Sequence, residues 1–302
     1  MSENQKVKVI YVVGGGRSGT TILSFIIGSA GEVFNAGELK YFNDIRDMEN
    51  PTIQAMGNRC SCGADADKCK FWVDIERKLG EKVSLYKPGG ILQRLKLALR
   101  LLFPLCTAIF NGEENFDDYR LFATILEQAR AFNPQVEYVL DVSKSLDRLI
   151  ALRADRRLDI RVLYIVRDGR GYINAYRNTH GKCFFRWLLQ WIVVNLMTRY
   201  YLKREKIDYF YLSYEQFCDQ PGKYLEEINR LFGISIPVKN YAQAVRKTLF
   251  HVRTGNPLKG TINNFKGVVK DQKWQRELPW LHRWLATILI YPFNRWWVYG
   301  RK

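Results

Sequence analysis

No stretch of this 302-residue sequence reaches the roughly 18 consecutive apolar residues of a membrane-crossing helix. The nearest candidates, 284–293 and 98–110, are short or are interrupted by Arg100 and Pro104. No secretory leader is visible, because residues 1–6 are polar and the strand-like VKVIYVV follows at once. The expected location is therefore the cytoplasm, with peripheral contact to a membrane left open. Histidine is scarce, at three residues, and no HExxH set of metal ligands occurs. Internal repeats and low-complexity linkers are absent, which argues against a solenoid or a string of domains. Acidic residues are few, 30 against 47 basic ones, and the net charge is +17. Such an excess calls for an anionic partner: a phosphorylated cofactor, an acidic polymer, nucleic acid or a membrane surface. Charge alone does not choose among them.

A hydrophobic fraction of 47% suffices for a packed core. The length is generous for one domain and short for two, so one domain over 1–302 is expected. Four β-branched or aromatic runs, 7–13, 138–142, 161–166 and 208–212, read as buried parallel strands with helical segments between them. That alternation predicts an α/β fold, a P-loop-like parallel sheet flanked by helices. Ligands of such sheets bind beyond the carboxyl ends of the strands, so the residues after each strand matter most. The stretch 34–135 reads as an insertion on the acceptor side. The tail from Asp271 is rich in tryptophan and arginine and helical in character.

The first run leads into GGGRSGTT (14–21) and then the apolar ILSFII. Strand, glycine loop and helix form a phosphate cradle, in which backbone N–H groups and the positive helix end face an anion. Gly14 and Gly19 have the Walker A spacing, but Thr20 stands where the Walker lysine belongs, which argues against ATP or GTP hydrolysis. Gly16, Gly19 and the hydroxyls of Ser18, Thr20 and Thr21 remain as cofactor ligands, and Arg17 supplies a cation from within the loop. The plain alternative is an ordinary glycine turn.

This loop resembles the 5′-phosphosulfate loop of sulfotransferases that use 3′-phosphoadenosine-5′-phosphosulfate (PAPS). Three further segments match that family in order. IVRDGRGYINAYRN (165–178) resembles its 3′-phosphate motif. YLSYEQFCDQPGKYLEEINRLFGI (211–234) and HVRTGNPLK (251–259) resemble its later tyrosine–glutamate and glycine segments. The likeness covers most of the chain and is nearest to bacterial, carbohydrate and tyrosyl-protein sulfotransferases. It implies transfer of the sulfuryl group of PAPS to a hydroxyl by in-line displacement, without a required metal.

The resemblance also implies roles for particular residues. Arg167 would bind the 3′-phosphate through charge-assisted hydrogen bonds. The family commonly has serine eight residues later, where this chain has Ala175, so a second ligand must come from elsewhere. Arg253, Thr254 and Gly255 occupy the place of a segment that reaches that phosphate. Tyr214 matches a tyrosine near the adenine; a buried structural tyrosine is the alternative. Glu38, in NAGELKYF, matches a glutamate that serves as general base, against a capping or salt-bridged glutamate. Lys144, in LDVSKS, matches a lysine on the bridging oxygen, against a solvated lysine. His251 either orients the site or packs.

Cys60, Cys62 and Cys69 form C-x-C-x6-C ahead of Phe71-Trp72. Reduced thiols, a disulfide and a metal staple with a fourth ligand such as Cys106, Cys183 or Cys218 all fit. The basic apolar stretch 91–110 and the aromatic stretch 280–297 read either as interfacial or as packed helices. CFFRWLLQWIVVN (183–195) reads as core. Together they favour a glycan or lipid-linked acceptor, not nucleic acid. The rival readings are a P-loop kinase or NTPase and a non-enzymatic binder of acidic polymers.

Overall fold

The computed structural model describes residues 6–47, 49–80, 83–85 and 116–300. Five strands form one parallel sheet: β1 (Val7–Gly14), β2 (Val33–Gly37), β3 (Tyr138–Lys144), β4 (Leu158–Val166) and β5 (Tyr209–Ser213). Their order is β2-β3-β1-β4-β5. Four of them grow from the four predicted runs. The fifth, β2, was not foreseen, because VFNAG is short and carries a polar residue and a glycine. It pairs along β3, and buried Asn35 donates to Ser24 Oγ at 3.1 Å.

The covering helices are α1 (Thr20–Ile27), α2 (Lys70–Leu79), α3 (Asp118–Phe132), α4 (Leu146–Ala154), α5 (Gly169–His180), α6 (Phe184–Arg204), α7 (Tyr214–Asp219), α8 (Pro221–Phe232), α9 (Tyr241–Lys247) and α10 (Trp280–Asn294). Alternate residues of β1 feed two cores, as the period of a strand requires. Val9, Tyr11 and Val13 pack with Trp72 and Ile75 of α2, Phe122 and Ile125 of α3 and Trp191 of α6. Ile10 and Val12 pack with Leu23 and Ile26 of α1, Ile228 of α8 and Val245 of α9. Both β2 and α3 fall within the predicted insertion 34–135, so the two ends of that stretch belong to the sheet and its cover. The stretch 91–110 lies outside the described residues.

The core expectation for 183–195 holds for one face of α6 only. Trp187 and Trp191 are buried, whereas Phe185, Leu189 and Val193 are exposed. The tail divides similarly: Ile290, Trp297 and Val298 are buried, while Trp280, Trp284 and Trp296 face out. Its buried part braces the end of β4. Asn294 Nδ2 and Tyr299 Oη donate to Asp168 at 3.0 and 2.6 Å, and Gly169 N–H donates to Asn294 Oδ1 at 3.1 Å.

Glu215 joins the same corner from α7. One of its oxygens accepts the Asp168 N–H at 3.0 Å, and the other is buried without a partner. Burial, reinforced by Asp168, pushes its carboxyl up from 4.5 to about 7. The folded chain thus keeps a proton that the unfolded chain releases above its ordinary value. This contribution is full below about pH 4.5 and is lost as pH rises through about 7. Glu215→Gln should abolish that slope, with a gain on the order of 3 kcal/mol at pH 8 relative to the parent chain. Denaturant midpoints measured from pH 4 to 8 check this; an unchanged slope in the variant would refute it.

Candidate active site

The carboxyl ends of the strands open into one cavity of about 1100 Å³. The glycine loop closes one end. Gly14 has φ +142°, and a Cβ there would lie 2.1 Å from the Ile165 carbonyl oxygen of β4, so no side chain fits. Gly19, at φ +77°, caps α1 and lies under the Tyr214 ring, which a Cβ would meet at 2.6 Å. No side chain caps the first turn of α1, so its N–H groups are left for an anion. Gly16, Arg17, Gly19, Thr20 and Thr21 line the cavity; Ser18 is buried and turns its hydroxyl back to the Gly16 carbonyl. Arg17 holds φ 60°, a left-handed conformation uncommon outside glycine.

The cavity also holds a carboxylate between two lysines. Glu38, at the end of β2, is only 8% exposed. Its Oε1 meets Lys144 Nζ at 2.5 Å and its Oε2 meets Lys40 Nζ at 3.4 Å. Lys144 reaches in because β3 bulges: Tyr11 pairs with Asp141, but Val13 pairs with Lys144, and Lys144 then takes φ 66°. Bulges beside active sites re-aim side chains in this way. Lys40 is set by a relay. Asp141, ion-paired with buried Arg148 at 3.1 Å, accepts from Ser143 Oγ at 2.5 Å. Ser143 Oγ in turn accepts the Lys40 N–H at 3.1 Å, and the Ser143 carbonyl accepts Lys40 Nζ at 3.0 Å. Burial is the largest influence on the Glu38 carboxyl and pushes it up. Lys144 and Lys40 outweigh it and hold the group below its ordinary 4.5.

Arg167, directly after β4, lines the cavity at the same end, against the glycine loop. It is 5% exposed, gives one hydrogen bond to the Arg17 carbonyl at 2.8 Å and pairs with Asp271 Oδ2 at 2.8 Å. Tyr214 stacks under it, 4.8 Å from ring centroid to guanidinium, and accepts the Asp271 N–H at 3.0 Å. Thr254 accepts the Glu38 N–H on Oγ1 at 3.0 Å, and Gly255 lies against the Glu38 side chain. These two therefore stand at the carboxylate and not at Arg167.

Arg253 is placed elsewhere. Its guanidinium is 1% exposed, pairs with Glu76 Oε1 at 2.7 Å and lies over the Phe42 and Trp72 rings, outside the cavity lining. His251 also lies outside it, among the cysteines. Ala175 does line the cavity, beside Tyr172 and Tyr176 of the same helix, whose rings cover Gly15 and Gly16. Sequence reasoning missed Lys40 and the segment from Phe265 through Asp271 to Lys273, which lines the Arg167 end with Lys270 and Lys273. A lysine two residues beyond Glu38, and three lysines spaced around Gly267, were the available signals.

Neither a family model nor a curated protein matches the chain by sequence. In structure the chain is similar to the sulfotransferase domain from the curacin biosynthetic pathway, at TM-score 0.52 and 15% identity, covering 95% of this chain and 98% of that one. The likeness is one of fold. Two more sulfotransferase structures align at lower TM-scores. The domain of the Synechococcus PCC 7002 olefin synthase gives 0.46 at 17% identity, over 96% of this chain and 97% of that one. STF9 of Mycobacterium avium gives 0.42 at 13%, over 96% of this chain and 76% of that one.

The lysine pair makes Glu38 testable without any substrate. Lys144→Ala and Lys40→Ala should each raise the Glu38 carboxyl titration, and Lys144→Ala by more, since its influence is the larger. Carboxyl NMR of the specifically labelled chain reads this directly. A titration unmoved by either change would mean that the lysines do not control the group.

Proposed function

We propose that this chain is a PAPS-dependent sulfotransferase whose acceptor is a hydroxyl on a glycan or a lipid-linked molecule. One observation carries the reading. A single cavity joins a glycine loop without the Walker lysine, a buried carboxylate between two lysines, and an arginine at the next strand end. A donor with a 5′-phosphosulfate and a 3′-phosphate needs two cationic sites, with the chemistry at the terminal sulfur, beyond the 5′-phosphate. Gly16, Arg17, Gly19, Thr20, Thr21 and the free N–H groups of α1 serve the phosphosulfate in this reading. Arg167, with Tyr214 beneath it, serves the 3′-phosphate, which would take the place of the half-exposed Asp271 carboxylate. Arg253 is not carried into the site, because Glu76 already holds it. The resemblance of the four motifs and the shared fold support the same assignment; the fold alone would not.

The chemistry follows from the charges. The acceptor oxygen forms a bond to sulfur as the bond from sulfur to the phosphate oxygen breaks, and the acceptor proton passes to Glu38. Lys144 steadies the leaving oxygen. An anionic donor also draws Lys144 and Lys40 away from Glu38. With its counter-charges engaged elsewhere, the buried carboxylate holds a proton more tightly and becomes a stronger base at the moment one is needed. A mixed wall supports the acceptor class: Val193, Val194 and Met197 of α6 line the cavity, and exposed tryptophans of α10 offer an apolar surface. Among the described residues no helix is long and apolar enough to cross a membrane.

Two measurements test the proposal. By calorimetry, adenosine 3′,5′-bisphosphate should bind roughly ten- to a hundredfold more tightly than AMP, and Arg167→Ala should shrink the gap. Equal affinities, or transfer that depends strictly on added magnesium, would favour a kinase-type enzyme instead. Glu38→Gln should fold, bind the bisphosphate normally and lose about 10²–10⁴-fold in turnover. Normal turnover would move the base elsewhere, and lost binding would make Glu38 structural.

A further inference from the structure

Away from the cavity, the loop before α2 gathers four groups that the proposed transfer does not use. Cys60 N–H donates to the Ala64 carbonyl at 2.9 Å and Gly63 N–H to the Cys60 carbonyl at 3.0 Å, with Gly63 at φ +93°. This tight turn points Cys60 and Cys62 the same way. Cys69 follows as the cap of α2, where the helix end favours a thiolate. The fourth group comes from 182 residues away, in the strand-like stretch that leads to Thr254: His251 Nδ1 lies 3.4 Å from Cys69 Sγ, and Cys62 Sγ lies 3.7 Å from Cys69 Sγ. All four ligand atoms fall within 4.8 Å of one another.

We propose that Cys60, Cys62, Cys69 and His251 form a closed Cys3His zinc site. With zinc–sulfur bonds of about 2.3 Å and zinc–nitrogen bonds of about 2.0–2.1 Å, a tetrahedron has sulfur–sulfur edges of about 3.8 Å and sulfur–nitrogen edges of about 3.6 Å. The Cys62–Cys69 and Cys69–His251 spacings match two of those edges, and the other four pairs lie within 4.8 Å. The surroundings suit a metal also. His251 is stacked on Phe71 with the planes 8° apart, and its carbonyl accepts the Trp72 indole N–H, so the ring is fixed in orientation. Three thiolates, a neutral imidazole and a dication sum to −1, and buried Arg253 lies near enough to Cys60 and Cys69 to feel their charge. Binding displaces thiol protons and requires no oxidant or reductant.

Four protein ligands leave no open position, so this zinc is structural and takes no part in the transfer. It joins the turn and α2 to the 250–255 stretch. Ser61 already bonds both Phe250 O and Val252 N–H, at 2.8 Å each. The next residues place Thr254 and Gly255 against Glu38. The site would thus hold one wall of the cavity in place.

The full chain, expressed with added zinc, should carry one zinc per chain by elemental mass spectrometry. X-ray absorption at the zinc edge should report three sulfurs and one nitrogen. His251→Phe keeps the ring on Phe71 but offers no ligand, and should weaken zinc retention by at least roughly tenfold. His251→Cys should retain zinc with four sulfurs. Wild-type chain isolated without zinc, a stoichiometric Cys62–Cys69 disulfide, or undiminished zinc in His251→Phe would each overturn the proposal. Should His251→Phe fail to fold, the stoichiometry and ligand count of the wild-type chain decide alone.

Discussion

A carboxylate buried between two lysines is the constraint around which the open edge of the sheet is built. Glu38 at 8% exposure cannot keep its charge without partners, and Lys144 and Lys40 provide them. Breaking one side of a buried pair typically costs about 3–5 kcal/mol, because the other charge is left stranded. The lysines in turn need exact support. Lys40 is held through Ser143 by Asp141, and Asp141 through its pair with Arg148, which also meets Asp118 at 2.8 Å. A line of charge therefore runs from the helix behind the sheet to the cavity. The same line explains why so many polar groups lie in the core next to β3.

Several conformations at this edge are ones that chains rarely adopt. Arg17 and Lys144 are both left-handed at non-glycine positions, and β3 carries a bulge between its pairings with Tyr11 and Val13. Each deviation costs on the order of 1–3 kcal/mol and persists only where the surroundings fix it. Here both strained residues are cations directed into one cavity. In the proposed reading the strain and the charge would have a common cause: positive groups held in place before an anion arrives leave little reorganisation for the binding step.

Legibility in the sequence followed the range of the interactions. The long apolar runs announced β1, β3 and β4, because strands buried on both faces need continuous β-branched residues, and an aromatic run announced the edge strand β5. The edge strand β2 has only five residues, with Asn35 bonded to Ser24, and its period was hidden. The glycine loop and Arg167 could be read because their chemistry is local. The Glu38–Lys144 pair spans 106 residues, and nothing in either segment alone says that they meet. Arg253 was misplaced for a related reason. Its neighbours Thr254 and Gly255 do reach the cavity side, but alternate residues of an extended stretch point opposite ways, so Arg253 enters the core toward Glu76. Three of the four clustered ligands were visible as a spacing, and the fourth, His251, was visible only as an unassigned histidine.

Arg167 and Glu38 are held by different distant parts of the chain. At the Arg167 end, Asp168 collects Arg170 at 2.6 Å, Asn294 at 3.0 Å and Tyr299 at 2.6 Å, so the last helix and the turn after it secure the start of α5. At Glu38, the stretch after His251 brings Thr254 to the backbone of that residue, and the cysteine turn holds that stretch through Ser61. Neither clamp adds a charge to the cavity. Each instead fixes groups that line it, and the proposed in-line displacement would be sensitive to their placement, since reacting atoms must be held in near-attack geometry. A sheet places its strand ends to within its own register, but the loops leaving them have no such rule. Long-range clamps supply what the sheet does not, so the segments most remote from Glu38 in sequence control the geometry around it.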